Sequence, residues 1–401
     1  MKIVQITPFF YPAWAYGGIA RVVYDLSRHL RMLGHDVTVV TTDVYDATSR
    51  VVVDSSPVLI EGVKTYYLQN ISNDLAYRKD FYWPAILDMK ALEDIAAADV
   101  IHMHKHRHVL NHVAHHIAVK QGIPYVFSGH GTIPKIYDDT VIKKLYRILA
   151  GRRLLDGASV YHAVSNVEMK QYVAAGLDES KIKVIYNGID PDGFKNLPPR
   201  GEFRNMMGIP HDRGVVLFLG KTAPRKGVDF LVKAISLLKR KDVVLVIAGG
   251  IRKDDVKVLK KLSAKLDIQD RVLFTGILSE SNRLSAYKDA DVTVYPSTRE
   301  VFGLVPFESI MCGTPTIVGD DSGACEIISR AGAGDPVEYG NAIELAGAID
   351  RMLNDRHRAK NLVDRGRRFI ETELSWETLT PKYLEVYESV VAAKKEEKRG
   401  E

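Results

Sequence analysis

Short apolar runs rich in β-branched residues alternate with longer stretches of helical period, and the alternation occurs twice along the chain. The first series has ValGlnIle at 4–6, ValThrValVal at 37–40, ValIleHisMet at 100–103, TyrValPhe at 125–127 and LysValIleTyr at 183–186. Helical patterns lie between them, such as the one from Arg21 to Leu33, which stops at Gly34, a residue suited to a helix C-terminus. Strands separated by helices in this way form a parallel sheet with helices packed over it. The pattern then restarts with ValValLeuPheLeu (215–219), ValValLeuValIle (243–247), ArgValLeuPhe (271–274), ValThrValTyr (292–295) and ThrIleVal (316–318). These runs are nearly unbroken apolar, as strands buried on both faces must be. Two doubly wound α/β domains are therefore expected.

A chain of 401 residues suits two domains of about 200 residues each better than one core. The loop AsnLeuProProArgGly at 196–201 is the natural boundary, giving domains over 1–195 and 201–375 with a ligand cleft between them. No apolar run reaches the ~18 residues that cross a bilayer. A strand-like run begins at residue 2 with no leader pattern before it, so a soluble, cytoplasmic protein is expected. The net charge of +5 is shared between the halves, which argues against a nucleic-acid partner and leaves room for a small anion. Cys312 and Cys325 read as ordinary buried thiols, and the charged 394–401 tail as a solvated terminus.

The segment from Tyr295 to Val318 carries the most chemistry. Glu300 precedes a helix with Pro306 in its first turn and Gly313 past its end, and Glu308 lies within that helix. The backbone amides of Phe302, Gly303 and Leu304 would be orphan donors at its N-terminus, and Gly303 permits close approach. Carboxylates accept well from vicinal hydroxyls, although acids near a helix start also serve the macrodipole alone. Upstream, Gly220-Lys221 and Lys226-Gly227 follow a strand and precede a helix, an arrangement that suits a diphosphate and equally describes a solvated basic loop.

Together these features resemble the retaining glycosyltransferases of family 4, and the resemblance runs over nearly the whole chain. ThrProPhePheTyrPro with TyrGlyGlyIleAlaArgVal, AspValIleHisMetHis, the GlyHisGly at 129–131, HisAlaValSer at 162–165, TyrAsnGlyIleAsp at 186–190 and SerTrpGluThr at 375–378 follow its landmarks in order. The resemblance implies the GT-B fold: two Rossmann-like domains facing a central cleft, the first binding acceptor and the second donor, with a last helix near 376–395 crossing back to the first. It implies that Lys226 binds the diphosphate, with Lys221 where the family usually has arginine. By the same resemblance Glu308 holds the ribose, Glu300 contacts the sugar near O3, and Gly17 and Gly18 bring amides to the phosphates. His130 would face the reacting sugar, and Ile277 and Leu278 would edge the base. The implied reaction is metal-independent transfer of a hexosyl group from a UDP- or GDP-sugar to an acceptor hydroxyl, with configuration kept and no cofactor; the acceptor is a sugar, a lipid-linked or a small molecule. A GT-B epimerase or phosphorylase, or a silent sugar-nucleotide binder, are the alternatives.

Other motifs read differently. Seven of the 13 histidines lie between His102 and His116, a tract that suits zinc, but the strand should end near His104, so His102 and His104 are expected at the cleft rim. The acid pairs Asp289/Asp291 and Asp190/Asp192 formally match the metal pair of the other major glycosyltransferase fold, yet their placement suits structural roles. The basic, apolar stretch 143–155 reads as a surface helix or as a peripheral contact with the inner face of a membrane. The loop after the first strand lacks the dinucleotide fingerprint, so a nicotinamide enzyme is not expected.

Overall fold

The computed structural model describes residues 1–133, 151–250 and 253–400. Its chain forms two compact units, Met1–Gly188 with Trp376–Glu401, and Ile189–Ser375.

The first unit is built on β1 (Lys2–Ile6), β2 (Asp36–Thr42), β3 (Val58–Ile60), β4 (Val63–Leu68), β5 (Val100–His104), β6 (Tyr125–Ser128), β7 (Val160–Ala163) and β8 (Ile182–Val184). Among the described residues they make one sheet in the order β3-β4-β2-β1-β5-β6-β7-β8. Every pairing is parallel except β3 with β4. That hairpin was not read from the sequence. Its turn is Glu61-Gly62, both at positive φ (48° and 78°), and glutamate is a weak sign of a turn that demands two left-handed residues. The helix Gly18–Met32 buries Ala20, Val22, Val23, Leu26 and Leu30 against the sheet, and Gly34 beyond it is left-handed at φ 84°.

The second unit has β9 (Gly214–Leu219), β10 (Val243–Ala248), β11 (Val272–Gly276), β12 (Val292–Tyr295), β13 (Thr316–Gly319) and β14 (Gly334–Val337), in the order β11-β10-β9-β12-β13-β14. Val216 and Phe218 of β9 pack in one core cluster with Leu231 and Ile235, while Val215 and Leu217 join another with Ala286 and Tyr287. Burial of alternate residues on opposite faces is why these strands read as continuous apolar runs. β14 contains Gly334 and Pro336, which masked it in the sequence; proline is tolerated there because the strand lies at the sheet edge.

The order reverses at one place in each sheet. β9 has β10 on one side and β12 on the other, so the loops after β9 and β12 leave the sheet side by side at a topological switch point, where ligands of open α/β sheets bind. In the first unit β1 holds the same position, between β2 and β5.

The helix Trp376–Gly400 belongs to the first unit and buries Trp376, Tyr383 and Tyr387. It continues through the charged tail, whose residues are mostly exposed. Among the described residues no helix is long and apolar enough to cross a membrane.

Candidate active site

Lys226 ends a short turn of helix, Pro224–Lys226, in the loop after β9. Gly227 follows at φ 68°, a conformation glycine adopts without strain. The loop after β12 is tied to it through the Thr298 amide, which donates to the Arg225 carbonyl at 2.8 Å. Asp321 accepts from the Thr298 hydroxyl and from the Arg299 amide, and the Gly323 amide donates to the Glu300 carbonyl at 2.7 Å. So held, Glu300 meets two cations. Lys226 Nζ donates to its Oε2, as does Arg225 Nη1 at 3.0 Å. Lys226 also donates to the Tyr295 hydroxyl at 2.7 Å, with its ammonium 4.6 Å from that ring's centre. Burial alone would raise the Glu300 pKa; Lys226 and then Arg225 overcome it and bring the carboxyl down to about 2. Burial likewise opposes the Lys226 charge, and Tyr295 and Glu300 outweigh it, so its pKa is raised. Both groups are ionised at neutral pH. Sequence reading had missed Arg225 and Tyr295, though one adjoins Lys226 and the other ends the strand before Glu300.

Glu308 sits in the helix Val305–Met311, which has Pro306 in its first turn and Gly313 at φ 92° beyond its end. Its buried Oε2 accepts from Arg283 and from the Tyr287 hydroxyl at 2.9 Å. Glu308 holds Arg283 in its charged form against burial, raising its pKa. Arg283 and Tyr287 come from the helix Glu280–Asp289. Their sequence positions do not mark them, because they stand 25 and 21 positions before Glu308 and only the fold brings them to it. Just before that helix, Ile277 is exposed and Leu278 packs partly into the core. Phe302 is buried, Leu304 caps the Val305–Met311 helix, and Gly303 stands between them at φ 85°. A Cβ on Gly303 would lie 2.7 Å from the Tyr295 ring. Lys221, by contrast with Lys226, is exposed.

In the first unit Gly17, at φ 103°, leads into the helix that begins at Gly18, and a Cβ there would meet nothing within 4 Å. His130 follows β6 in the left-handed region, at φ 51°. Its flanks are clamped: the Gly129 amide donates to the Tyr172 hydroxyl at 2.7 Å, and the Gly131 amide to Glu168 at 2.6 Å. His130 Nε2 lies 3.0 Å from His104 Nδ1 with the two rings stacked. Burial, with His162 and Lys105 nearby, pushes the His130 pKa down to about 3.

The expectation that His102 and His104 sit at a rim is corrected. Both are buried, at 0% and 1% exposure, because β5 is an interior strand. They hydrogen-bond with Gln5, Ser128 and Tyr387.

Two family models divide the chain between them. Residues 16–192 match Glycosyltransferase Family 4, and residues 199–369 match Glycosyl transferases group 1. The chain is a glycosyltransferase of the family 4 type. Over nearly its whole length this glycosyltransferase is similar to an uncharacterized glycosyltransferase of Methanocaldococcus jannaschii, with 29% identity over 96% of this chain and 98% of that one. A D-inositol 3-phosphate glycosyltransferase of Catenulispora acidiphila is 26% identical over 88% of this chain and 86% of its own. Among solved structures, Anabaena HepE in complex with UDP and glucose aligns with a TM-score of 0.76 over 97% of this chain and all of that one, at 19% identity. The fold is GT-B.

Within this family 4 chain the acid pairs are used up by local structure. Asp289 accepts from the Gly201 and Arg204 amides, and Asp291 from Arg204, Arg200 and the Val215 amide. Asp190 accepts from the Asp192 amide in its own turn. Both cysteines are buried and free. Of the basic stretch 143–155, residues 143–150 lie outside the described residues.

Proposed function

We propose that this glycosyltransferase moves a hexosyl group from a UDP- or GDP-sugar to an acceptor hydroxyl, keeping the anomeric configuration and using no metal. The reading is carried by the cluster of buried Lys226 and Tyr295 with the largely buried Glu300, joined from the surface by Arg225, at the switch point of the second unit. An ammonium has three donors. Tyr295 and Glu300 take two of the Lys226 protons, and the third is assigned to a phosphate oxygen of the donor. Charge accumulates on that oxygen as the glycosidic bond breaks, so the attraction grows toward the transition state. Gly17, Gly18 and the exposed Lys221 are assigned to the same diphosphate.

Glu300, ionised down to about pH 2, is a weak base and a weak nucleophile. Its two cations both use Oε2, and Oε1 is assigned to a sugar hydroxyl near O3. Glu308 repeats the arrangement, with Arg283 and Tyr287 on Oε2 and Oε1 given to the ribose. The amides of Phe302, Gly303 and Leu304 would add donors, and Ile277 and Leu278 would border the base. Substitution on one face through an oxocarbenium-like state, with His130 near the sugar, fits carboxylates that orient and do not attack. The compartment proposed is the cytoplasm, at the inner face of a membrane if the acceptor is lipid-linked.

The test is a screen of UDP-, GDP- and ADP-sugars for hydrolysis and transfer, beginning with UDP-glucose and including D-inositol 3-phosphate as one acceptor because a relative is named for it. Folded Lys226→Ala and Glu300→Gln variants should each lose about 100-fold or more in kcat. Turnover at the normal rate in both would overturn the site. Isomerised donor without acceptor, or dependence on orthophosphate, would replace transfer by epimerisation or phosphorolysis.

A further inference from the structure

We infer that a one-way chain of buried hydrogen bonds, anchored on the Ile185 carbonyl, fixes His130 as the Nε2–H tautomer, and that Gln5 and His104 are positioning residues which make its Nδ1 a bare acceptor. All members lie in the first unit.

The polarity follows link by link. His162 Nε2 lies 2.8 Å from the Ile185 carbonyl, which can only accept, and 3.2 Å from the Tyr383 hydroxyl; the shorter contact requires that Nε2 carry the proton, with the Tyr383 oxygen a second acceptor. Burial holds the His162 pKa at about 4, so the ring is neutral and its Nδ1 is bare. That nitrogen takes the one proton of the Ser128 hydroxyl, 2.6 Å away. Ser128 Oγ, its proton spent, accepts from His102 Nε2 at 2.6 Å. His102, kept neutral by burial, therefore has a bare Nδ1, which accepts from the Tyr387 hydroxyl at 2.7 Å. Tyr387 oxygen in turn faces the Gln5 amide nitrogen at 3.5 Å, the longest link. This turns the Gln5 carbonyl oxygen toward His104 Nε2, 2.7 Å away, so His104 donates there and is bare at Nδ1. The remaining contact, 3.0 Å between His104 Nδ1 and His130 Nε2, then has one workable direction: His130 donates. With the His130 ring neutral, Nδ1 keeps a lone pair, and no described residue makes a hydrogen bond to it.

A group that meets this nitrogen must bring a proton. A sugar hydroxyl qualifies and a phosphate oxygen does not, a consequence that rests on the proposed donor site.

The experiment reads the tautomer directly, without any substrate. Ring ¹⁵N spectra of the full chain labelled at histidine, with His130 assigned by its loss in His130→Gln, should show a single Nε2–H form at neutral pH. Gln5→Met removes the acceptor of His104 and should convert His130 to a mixture or to Nδ1–H. Gln5→Glu keeps an oxygen acceptor and should restore the Nε2–H pattern. In a donor hydrolysis assay, Gln5→Met should lose about 10-fold in kcat/KM, consistent with one hydrogen bond in the transition state, and Gln5→Glu should recover part of it. An Nδ1–H form in the unsubstituted chain overturns the inference even if no variant folds. So does an unchanged His130 spectrum in folded Gln5→Met. Failure of every donor would overturn the functional reading while leaving the tautomer measurement valid.

Discussion

At the scale of single residues, the cost of the site is concentrated in Lys226 and Glu300. Each is expensive to bury alone, and each offsets part of the other's cost, with Arg225 assisting at Glu300 and Tyr295 at Lys226. Lys226→Met, which keeps the stem and removes the charge, should destabilise the second unit by about 3–5 kcal/mol, read by urea denaturation. The double variant Lys226→Met/Glu300→Gln should lose less than the sum of its parts, because the second change removes the carboxylate that the first leaves with Arg225 alone. The pH dependence has a definite sign. Glu300 is depressed from its ordinary 4.5 to about 2, so its stabilising contribution is present above about pH 4.5 and is lost as pH falls through about 2. Glu300→Gln should flatten that acid limb in thermal melts across pH 2 to 5. Both glutamates and both lysines were legible in the sequence as residue types in a pattern. The choice of Lys226 over Lys221 as the buried partner was not, since no local signal says which side chain the fold will cover.

At the scale of elements, the two loops of the site are held by glycine geometry as much as by hydrogen bonds. Gly227 joins the Lys226 turn to the helix Val228–Leu237 at φ 68°. A Cβ there would come 2.5 Å from the Pro296 carbonyl oxygen in the neighbouring loop. Gly227→Ala should therefore cost at least the ~1–2 kcal/mol of a left-handed non-glycine residue and move Lys226 away from Glu300. Lower kcat together with a shifted melting midpoint would report both effects. The helix Val305–Met311 shows what patterns read well: Pro306 inside the first turn and Gly313 past the end mark it in the sequence. The Glu61-Gly62 hairpin and the proline-bearing β14 show what they read badly, because each depends on a partner strand that tolerates an unusual residue.

At the scale of the whole chain, the C-terminal helix is bound into the first unit by its aromatic face. Gly188 ends that unit's first segment, and a Cβ on it would run into the Trp376 indole. This gives the glycine of the TyrAsnGlyIleAsp motif a packing role. Gly188→Ala should destabilise the first unit by about 1–3 kcal/mol, the usual cost of overpacking. Truncation after Ser375 should go further, since it removes Trp376, Tyr383 and Tyr387 from the core and takes away the Tyr387 hydroxyl that His102 needs. Calorimetry should show the first unit's transition lowered or lost while that of Ile189–Ser375 persists.

By itself the amino-acid sequence determined the two series of strands, the helices between them and the two acid-and-lysine motifs, because periodicity, capping and turn chemistry act over a few residues. Sheet order decided what those motifs became. β9 and β12 are far apart in the chain, and only their pairing sets Lys226 and Arg225 on one oxygen of Glu300. The histidines after residue 100 make the same point: their spacing suggested a metal or a rim, and burial between β1 and β6 made two of them links in a hydrogen-bond chain. Long-range pairing and desolvation belong to the folded chain, and no local pattern encodes them.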